Sequence, residues 1–287
     1  LHRLWDPIRA VAADLTDELG HPVQVNAYIT PAQSQGFDPH YDTHDVFVLQ
    51  VAGRKHWRVH APVVVDPMPD QPWGQVADEV AARAAEEPLL DRTLEPGDCL
   101  YLPRGFIHSA TALAETSLHL TFGIHTVTQR DVVAAAFDEI RHSGWGESLP
   151  AGWDPDSDLA AIRRLMDDAA QRLRSLDPTL VAERLYRQRA AAQLPEPVTP
   201  LATAEAAARL TGDQMVRLRG HLVVRVDGDT LRVGDTRKVE LTSGQIAAVE
   251  QLLPGKPLRV ADLTCGDPIA LAARLMREGV VVLAVDD

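Results

Sequence analysis

The chain has few cysteines and no long apolar run. Its two cysteines, Cys99 and Cys265, lie far apart in the sequence. They form neither a disulfide framework nor a cysteine-rich zinc motif, which indicates a reducing compartment. No apolar run approaches the ~18 residues that a transmembrane helix needs, and the first ten residues lack the apolar segment of a signal peptide. We therefore expect a cytoplasmic protein with no membrane partner.

Positive charge is also scarce. The 287 residues contain 28 Lys and Arg against 41 Asp and Glu, which gives a net charge of −13 at pH 7. This balance argues against general nucleic-acid binding and suits a basic partner. The length allows one large domain or two to three small ones. The first residue is Leu1 rather than methionine, which leaves open a longer natural chain.

The first of three regions, residues 21–127, contains short β-type runs such as "VQVNAYIT", "VFVLQV" and "SLHLTFGI". Turn signals such as "AGR" and "EPGD" separate these runs. The pattern predicts an antiparallel β sandwich or barrel. One insertion, "DQPWGQVADEVAARAAEEPLLDR", predicts a short helix within it.

Residues 128–193 form the second region and are predicted to be helical. Thr128 followed by Asp131 is a helix-start signal related to the capping box. Farther along, apolar residues fall on one helical face, which favours core packing or a helix–helix contact such as a dimer surface. They are Leu159, Ile162, Met166, Ala169, Leu173 and Leu176.

The third region follows "LPEPVTP" (194–200), whose three prolines predict a linker. Residues 201–287 alternate helix-type and strand-type segments, and Asp227 and Gly228 predict a hairpin turn. The order resembles a winged-helix module. Residues 195–287 hold 11 Lys and Arg against 13 Asp and Glu, so DNA binding by this module is disfavoured.

The stretch "HYDTHDVFVLQVAGRKHWRVH" (40–60) is rich in side chains that bind metals. If the strand begins before it, residues two apart share a face, so His40 and Asp42 point to one side. Two histidines and one carboxylate form the facial triad of non-haem Fe(II) oxygenases. An H-x-D pair alone is a weak motif that is often incidental, and a third ligand must come from elsewhere.

A second block, "LEPGDCLYLPRGFIHSATA" (94–112), offers that third ligand. "CLYLP" predicts a strand, and "PRGFIH" predicts a turn that delivers His108 to the start of the next strand. His108 lies 68 residues after His40, which is a natural spacing in a double-stranded β-helix. The alternative is a histidine at a strand end that hydrogen-bonds the backbone.

Lys55 alternates with apolar residues in "KHWRVH", where Lys55, Trp57 and Val59 share one face. A lysine on an inward face is costly unless it is paired, and an anionic ligand is a suitable partner. The alternative is a lysine at the mouth of a barrel whose ammonium group reaches water. The spacing does not decide between these two interpretations.

Taken together, "NAYITPAQSQGFDPHYDTHDVFVLQVAGRKHWRVH" and "GDCLYLPRGFIHSATAL…SLHLTFGI" resemble the JmjC-type, cupin-4 ribosomal oxygenases. These are Fe(II)- and 2-oxoglutarate-dependent protein hydroxylases. The resemblance is specific over residues 22–123. It implies a double-stranded β-helix at 1–127, a helical dimerisation segment at 128–193 and a winged-helix-like domain at 201–287. It also implies a homodimer that acts on histidine or arginine of a basic ribosomal protein.

The resemblance assigns site residues one by one. His40, Asp42 and His108 match the iron ligands, and Lys55 matches the residue that pairs with the far carboxylate of 2-oxoglutarate, with O₂ as the second cosubstrate. Gly123 stands where the family often has a hydroxyl residue, which loosens one cosubstrate contact or moves it to the residue two positions earlier. The remaining cosubstrate-pocket positions are Asn26, Tyr28 and Thr121.

The neighbouring polar residues are predicted not to be ligands. We expect a structural or groove-lining role for His44, and a rim carboxylate that contacts a basic substrate for Asp45. We expect surface positions for His56 and His60, and a buried, hydrogen-bonded side chain for His119. Arg104 is expected to position the loop before the third ligand or to contact substrate.

Two other function classes remain open. One is a cupin metalloenzyme that uses the same ligands on a small molecule without 2-oxoglutarate, and an inward lysine argues against it. The other is a non-catalytic protein that keeps the barrel for metal binding or recognition. A third alternative, DNA-binding regulation through residues 201–287, is disfavoured by the charge of that region.

Overall fold

The computed structural model describes residues 1–141 and 144–284, which divide into two compact units, Leu1–Thr126 and Val127–Asp287. Residues 285–287, at the end of the predicted winged-helix-like domain, lie outside the described residues, as do two positions within the predicted helical segment. Every helix in the described ranges is too short or too polar to cross a lipid bilayer.

The first unit holds two antiparallel sheets with the orders β1-β7-β2-β5 and β4-β3-β6. Strands close in sequence are split between the sheets, which is the arrangement of the predicted double-stranded β-helix. The elements are α1 Asp6–Leu19, β1 Val23–Thr30, β2 Asp45–Ala52, β3 Lys55–His60, α2 Ala77–Ala84, β4 Leu90–Leu94, β5 Cys99–Leu102, β6 Ile107–Ala112 and β7 Ser117–Ile124.

The inner faces of these two sheets pack against each other through one apolar cluster. Val46 and Val48 of β2 meet Trp57 and Val59 of β3, and Leu102 of β5 completes the contact. The alternation predicted for these strands places the same residues inward. The cluster fixes the distance between the sheets and leaves one end of the interior for polar side chains.

Helix α1 covers the outer face of the four-stranded sheet, and the sequence patterns above did not predict it. Ile8 and Ala12 pack against Val25, Phe122 and neighbouring apolar residues of β1 and β7. The helix carries proline in its first turn and ends at a glycine in the left-handed conformation. Those two signals mark a helix that apolar periodicity alone left unassigned.

The second unit begins with three helices and continues into a small α+β region. The predicted helix start is confirmed, since the Asp131 carboxylate accepts the backbone N–H of Thr128 at 2.7 Å. The elements are α3 Gln129–Ile140, α4 Leu159–Ser175, α5 Pro178–Ala192, α6 Pro200–Ala208, β8 Met215–Leu218, β9 Val224–Asp227, β10 Thr230–Val233, β11 Arg237–Glu240, α7 Ser243–Leu252, β12 Leu258–Arg259, α8 Pro268–Arg277 and β13 Val281–Leu283.

Two three-stranded sheets, β12-β8-β13 and β11-β10-β9, lie in this second unit. The predicted hairpin is present, because Asp227 pairs with Thr230 around Gly228. Glu183 of α5 forms ion pairs with Arg225 and Arg232, which ties the helices to the β9–β11 sheet. The winged-helix assignment of this region stays a prediction.

Residues 194–199 of the predicted linker have neither helix nor strand, whereas its last residue, Pro200, begins α6. The segment is held in place. Glu196 binds both guanidinium nitrogens of Arg217, at 2.8 and 3.0 Å, and accepts the Gly220 N–H at 3.0 Å. The hydrogen bonds from Arg217 hold the pKa of Glu196 below its usual value. The segment is therefore an ordered connection rather than a loose tether.

Candidate metal centre

The three predicted ligands meet in the first unit. His40, Asp42 and His108 each offer one ligand atom, and these atoms lie within 4.8 Å of one another. His108 Nε2 is 3.9 Å from Asp42 Oδ2, and the two imidazole centroids are 4.5 Å apart. A single divalent cation fits between two nitrogens and one carboxylate oxygen at these separations.

Backbone hydrogen bonds bring the two histidines together. His108 N–H donates to the His40 carbonyl at 2.8 Å, and His40 N–H donates to the His108 carbonyl at 3.2 Å. The turn before β6 adds a third bond, from Gly105 N–H to the Asp42 carbonyl at 3.0 Å. Gly105 has φ +86°, and a Cβ there would lie 2.5 Å from the Val64 carbonyl oxygen, so the turn requires glycine.

Second hydrogen bonds orient both rings. The Nδ1 atom of His40 lies 2.7 Å from the Asp38 carbonyl, and that of His108 lies 3.0 Å from the Phe106 carbonyl. A ring whose Nδ1–H donates to a carbonyl presents a bare Nε2, which is the form that binds a metal. Burial, followed by the neighbouring His40, lowers the pKa of His108 and favours its neutral form.

A cavity of about 90 Å³ extends from the triad into the barrel, and Lys55 lies on its wall. A single water needs roughly 10–15 Å³ on the same kind of measure, so the cavity has room for a small molecule. Apolar residues Val48 and Trp57 line it together with Thr30 and Tyr28. The space is therefore continuous from the metal ligands to one buried cation.

Lys55 is only 4 % exposed, which excludes a side chain that reaches water at the barrel mouth. Its ammonium group donates to Thr30 Oγ1 at 3.0 Å and lies 5.8 Å from the ring centre of Trp57. Among the residues that the structure describes, no carboxylate forms an ion pair with it. Burial lowers the pKa of Lys55. An anionic ligand in the cavity would supply the missing charge.

Of the other three predicted pocket residues, two line the cavity and one does not. Tyr28 and Thr121 line the cavity. Asn26 pairs with Thr121 across β1 and β7, yet it is exposed and does not line the cavity. The roles of all three in binding a cosubstrate stay predictions.

His119 is buried as predicted, but its Nδ1 has no hydrogen-bond partner among the described residues, which corrects the expectation of a hydrogen-bonded ring. Its ring stacks on Tyr28 at 5.1 Å and meets Trp57 edge-on at 5.5 Å. Burial and the charge of Lys55 lower the pKa of His119 to about 4. Aromatic packing, rather than a polar partner, holds the neutral ring.

His44 lies outside the ligand set and stacks on His125 with 5.1 Å between ring centres. Its ring fills the space beside Gly123, where an added Cβ would lie 2.7 Å from His44 Nε2. A hydroxyl side chain at position 123 would require the ring of His44 to move.

Asp45 and Arg104 form a structural contact. Asp45 Oδ1 accepts the Arg104 backbone N–H at 2.8 Å, and Oδ2 accepts the Thr126 hydroxyl at 3.3 Å. The Arg104 guanidinium lies 3.5 Å from the Asp66 carboxylate. Asp45 therefore positions the loop before His108, and its contact with a basic substrate stays a prediction.

The two outward-facing histidines of β3 differ in how far they are exposed to solvent. His56 is partly exposed and bonds Asp91 at 2.7 Å, in line with a surface position. His60 is only 3 % exposed, so the expected surface position is wrong. The segment after β3 returns to this end of the strand, where the Leu89 N–H donates to the Val59 carbonyl at 2.8 Å. Burial, followed by the charge of Arg58, lowers the pKa of His60. The alternation of side chains along a strand does not predict that a segment outside the sheet buries an outward-facing residue.

Several residues at or beside the site were not among the predicted ones, including Thr30, Phe37 and Trp73. Thr30 was detectable, because it shares the inward face of β1 with Tyr28. Phe37 and Trp73 flank His40 from a loop and from a 3₁₀ turn. Such segments have no regular strand or helix periodicity from which the positions of their side chains could be predicted.

Comparisons with known proteins agree with this geometry. The family model of the JmjC domain matches residues 3–132. The predicted resemblance is confirmed over this segment, which contains all of the predicted site residues.

Relatives of the JmjC domain include a Culex quinquefasciatus protein named bifunctional lysine-specific demethylase and histidyl-hydroxylase NO66, which is 46 % identical over 110 residues. That match covers 35 % of this chain and 15 % of the relative. Human ribosomal oxygenase 1 is 43 % identical over 118 residues, with coverages of 39 % and 17 %. The chain thus spans less than a fifth of the length of these relatives.

A solved structure, the Escherichia coli ribosomal oxygenase YcfD, aligns with 98 % of this chain and 76 % of its own chain. The TM-score is 0.52 and the sequence identity is 22 %. At this identity the match supports a shared fold alone.

We predict that His40→Ala and Asp42→Ala each lower the affinity of the JmjC domain for Co(II) by at least about 100-fold, because each removes one of three ligands. Anaerobic titration followed by cobalt absorbance measures this affinity. His44→Ala is the matched control, since its ring stacks on His125 outside the triad, and it should bind cobalt like the wild type. Unchanged affinity in either ligand variant would exclude that residue from the centre.

Proposed function

We propose that this chain is an Fe(II)- and 2-oxoglutarate-dependent oxygenase that hydroxylates a side chain of a protein. One observation carries the proposal: a two-histidine, one-carboxylate triad opens onto the same cavity as a buried lysine with no carboxylate partner among the described residues. The overall reaction would consume 2-oxoglutarate and O₂. It would release succinate and CO₂ and add one oxygen atom to the substrate.

The residues present fit such a centre. His40, Asp42 and His108 would hold the iron on one face, and their orienting hydrogen bonds would keep both Nε2 atoms aimed at it. When bound, iron supplies the activation of O₂ and the oxidation of a C–H bond. No side chain needs to act as acid or base. The protein orients the reactants and excludes water through Val48 and Trp57.

Lys55 would hold the far carboxylate of 2-oxoglutarate by a charge-assisted hydrogen bond, with Thr30 fixing its ammonium group. A metalloenzyme that works without 2-oxoglutarate has no use for a buried cation at this place. YcfD, which shares the fold, has been solved in complex with cobalt and 2-oxoglutarate. Thr121 lies on the cavity wall. Its hydroxyl would make the cosubstrate contact that a hydroxyl residue at position 123 makes in the family.

For the substrate we propose histidine or arginine of a basic, ribosomal protein. The relatives are named ribosomal oxygenase and histidyl-hydroxylase. The net charge of −13 favours the approach of a basic chain. A cytoplasmic location would suit both this substrate and the low cysteine content.

We propose further that two copies of the chain associate through the helices of the second unit. Helix α4 has no buried residue, although Leu159 and Met166 lie on the apolar face predicted from the sequence. Their side chains are 65 % and 58 % exposed. A second copy would remove this face from water. The α+β region at 201–287 is proposed as a winged-helix-like module that does not bind DNA.

We predict that wild-type protein, incubated with Fe(II), 2-oxoglutarate and a ribosomal protein extract, adds 16 Da, one oxygen atom, to a histidine or arginine. His40→Ala and Asp42→Ala should abolish both this product and succinate formation, because both reactions need the iron. Peptide mass spectrometry and succinate assay give the two readouts. Metal binding without any succinate formation would instead support a non-catalytic protein.

Lys55→Met should stabilise the ligand-free protein by on the order of 1 kcal/mol. Burial lowers the pKa of Lys55, so keeping it charged at neutral pH costs folding free energy, and methionine removes that cost. 2-Oxoglutarate should raise the melting temperature of the wild type but not of the variant. Exposed Lys238→Met is the control and should change neither quantity. If 2-oxoglutarate raises the melting temperature of Lys55→Met as much as that of the wild type, Lys55 does not bind the ligand.

The double variant Leu159→Glu, Met166→Glu should be monomeric at concentrations where the wild type is a dimer, because two charges would enter the apolar contact. Sedimentation equilibrium measures the dissociation constant. Leu201→Glu places the same charge on another exposed leucine, 81 % accessible on α6, and should leave the dimer intact. A wild type that stays monomeric at every concentration would contradict the proposed association.

A further inference from the structure

Two exposed aromatic side chains flank the same metal ligand, His40. Phe37 lines the cavity, and Trp73 lies beside His40 on the segment that follows β3. The ring centre of Phe37 lies 5.5 Å from that of His40, and the ring centre of Trp73 lies 6.4 Å from it. Phe37 is 62 % exposed and Trp73 is 38 % exposed. Scattered apolar side chains on a surface are ordinary. Two aromatic rings beside one candidate iron ligand form a specific surface, which we call the aromatic clasp.

The segment that carries Trp73 is anchored to the metal centre. The Tyr41 hydroxyl donates to the Gln71 carbonyl at 2.9 Å. Tyr41 itself is 2 % exposed and stands in the sequence between two metal ligands. Val80 of α2 packs against Tyr41 and Ile107, the residue before the third ligand. The insertion is therefore held to the backbone that positions the triad.

The whole segment between β3 and β4 is strongly acidic. Residues 61–89 contain six carboxylates, at 66, 70, 78, 79, 86 and 87, and a single basic residue, Arg83. Asp38, between Phe37 and His40 in the sequence, adds another exposed carboxylate. A basic polypeptide approaching the cavity would meet this charge first and then the two rings.

We propose that Phe37 and Trp73 clasp the flat, π-bearing side chain of the substrate, imidazole or guanidinium, and hold it beside the metal. Both groups stack on aromatic rings, and a protonated group also gains a cation–π attraction. Tyr41 is a positioning residue that acts through Trp73. The inference rests on the proposed function, because it names the chemistry of the side chain that the oxygenase would receive.

The test measures peptide binding rather than turnover. The full chain is loaded with Mn(II) and 2-oxoglutarate without oxygen. Its affinity is measured by fluorescence anisotropy for three labelled lysine-flanked peptides that differ only in a central His, Arg or Leu. The wild type should bind the His and Arg peptides more tightly than the Leu peptide, because only the first two offer a flat π-bearing group.

Phe37→Ala and Trp73→Ala should each weaken binding of the preferred peptide by roughly 2- to 10-fold. Phe37→Tyr and Trp73→Phe, which keep a ring, should restore most of the affinity. Trp5→Ala removes another exposed tryptophan, 56 % accessible and away from the cavity lining, and should bind like the wild type. Melting temperatures identify any variant that fails to fold, and the ring-retaining variants then decide the result.

A double-mutant cycle tests the role of Tyr41. Tyr41→Phe should weaken peptide binding, and Tyr41→Phe combined with Trp73→Ala should bind no more weakly than Trp73→Ala alone. Additive losses would show that Tyr41 does not act through Trp73.

Three results would overturn the clasp: equal affinity for the three peptides, wild-type affinity in both alanine variants, or no peptide binding by the wild type. The succinate assay separates this failure from failure of the proposed function. A wild type that forms succinate but binds peptides without regard to Phe37 and Trp73 keeps its oxygenase activity and loses the clasp. If peptide binding depends on the two rings but no succinate forms, the clasp is supported and the oxygenase activity is not.

Discussion

The candidate site depends on one pair of backbone hydrogen bonds, those that join His40 and His108. The two residues lie 68 positions apart in the chain. His108 is aligned by the pairing of β6 with β3, whereas His40 lies outside the named strands and meets His108 through an isolated β-bridge. Their reciprocal bonds set the separation of the imidazoles before any metal binds. The Gly105 turn and the Asp38 and Phe106 carbonyls then fix the direction of each ring. The geometry of the triad is thus a property of the folded backbone.

The interior of the barrel holds polar groups that a purely apolar core would exclude. Lys55 is buried against Thr30 and the face of Trp57, and His119 is held neutral between aromatic rings. Such groups lower the stability of the ligand-free protein. An anion bound beside Lys55 would recover part of that stability. The cost of folding and the specificity of the site therefore come from the same residues.

Regular alternation made much of the first unit predictable. The runs "VQVNAYIT" and "SLHLTFGI" are strands β1 and β7 with the same bounds, and the inward position of Lys55 followed from its neighbours. The triad also followed, because a family motif links its two distant parts. The burial of His60 did not follow from the strand pattern. Alternation along a strand does not show which segments outside the sheet cover it. Loops and insertions have no period, so the positions of Phe37 and Trp73 required the structure.

Gly123 and His44 show how two distant positions become dependent on each other. The imidazole occupies the volume that any side chain on β7 would need at this point. A serine introduced alone would require the ring to shift, whereas a smaller residue at 44 would leave room for it. A side chain at position 123 and the conformation of the His44 ring are therefore coupled.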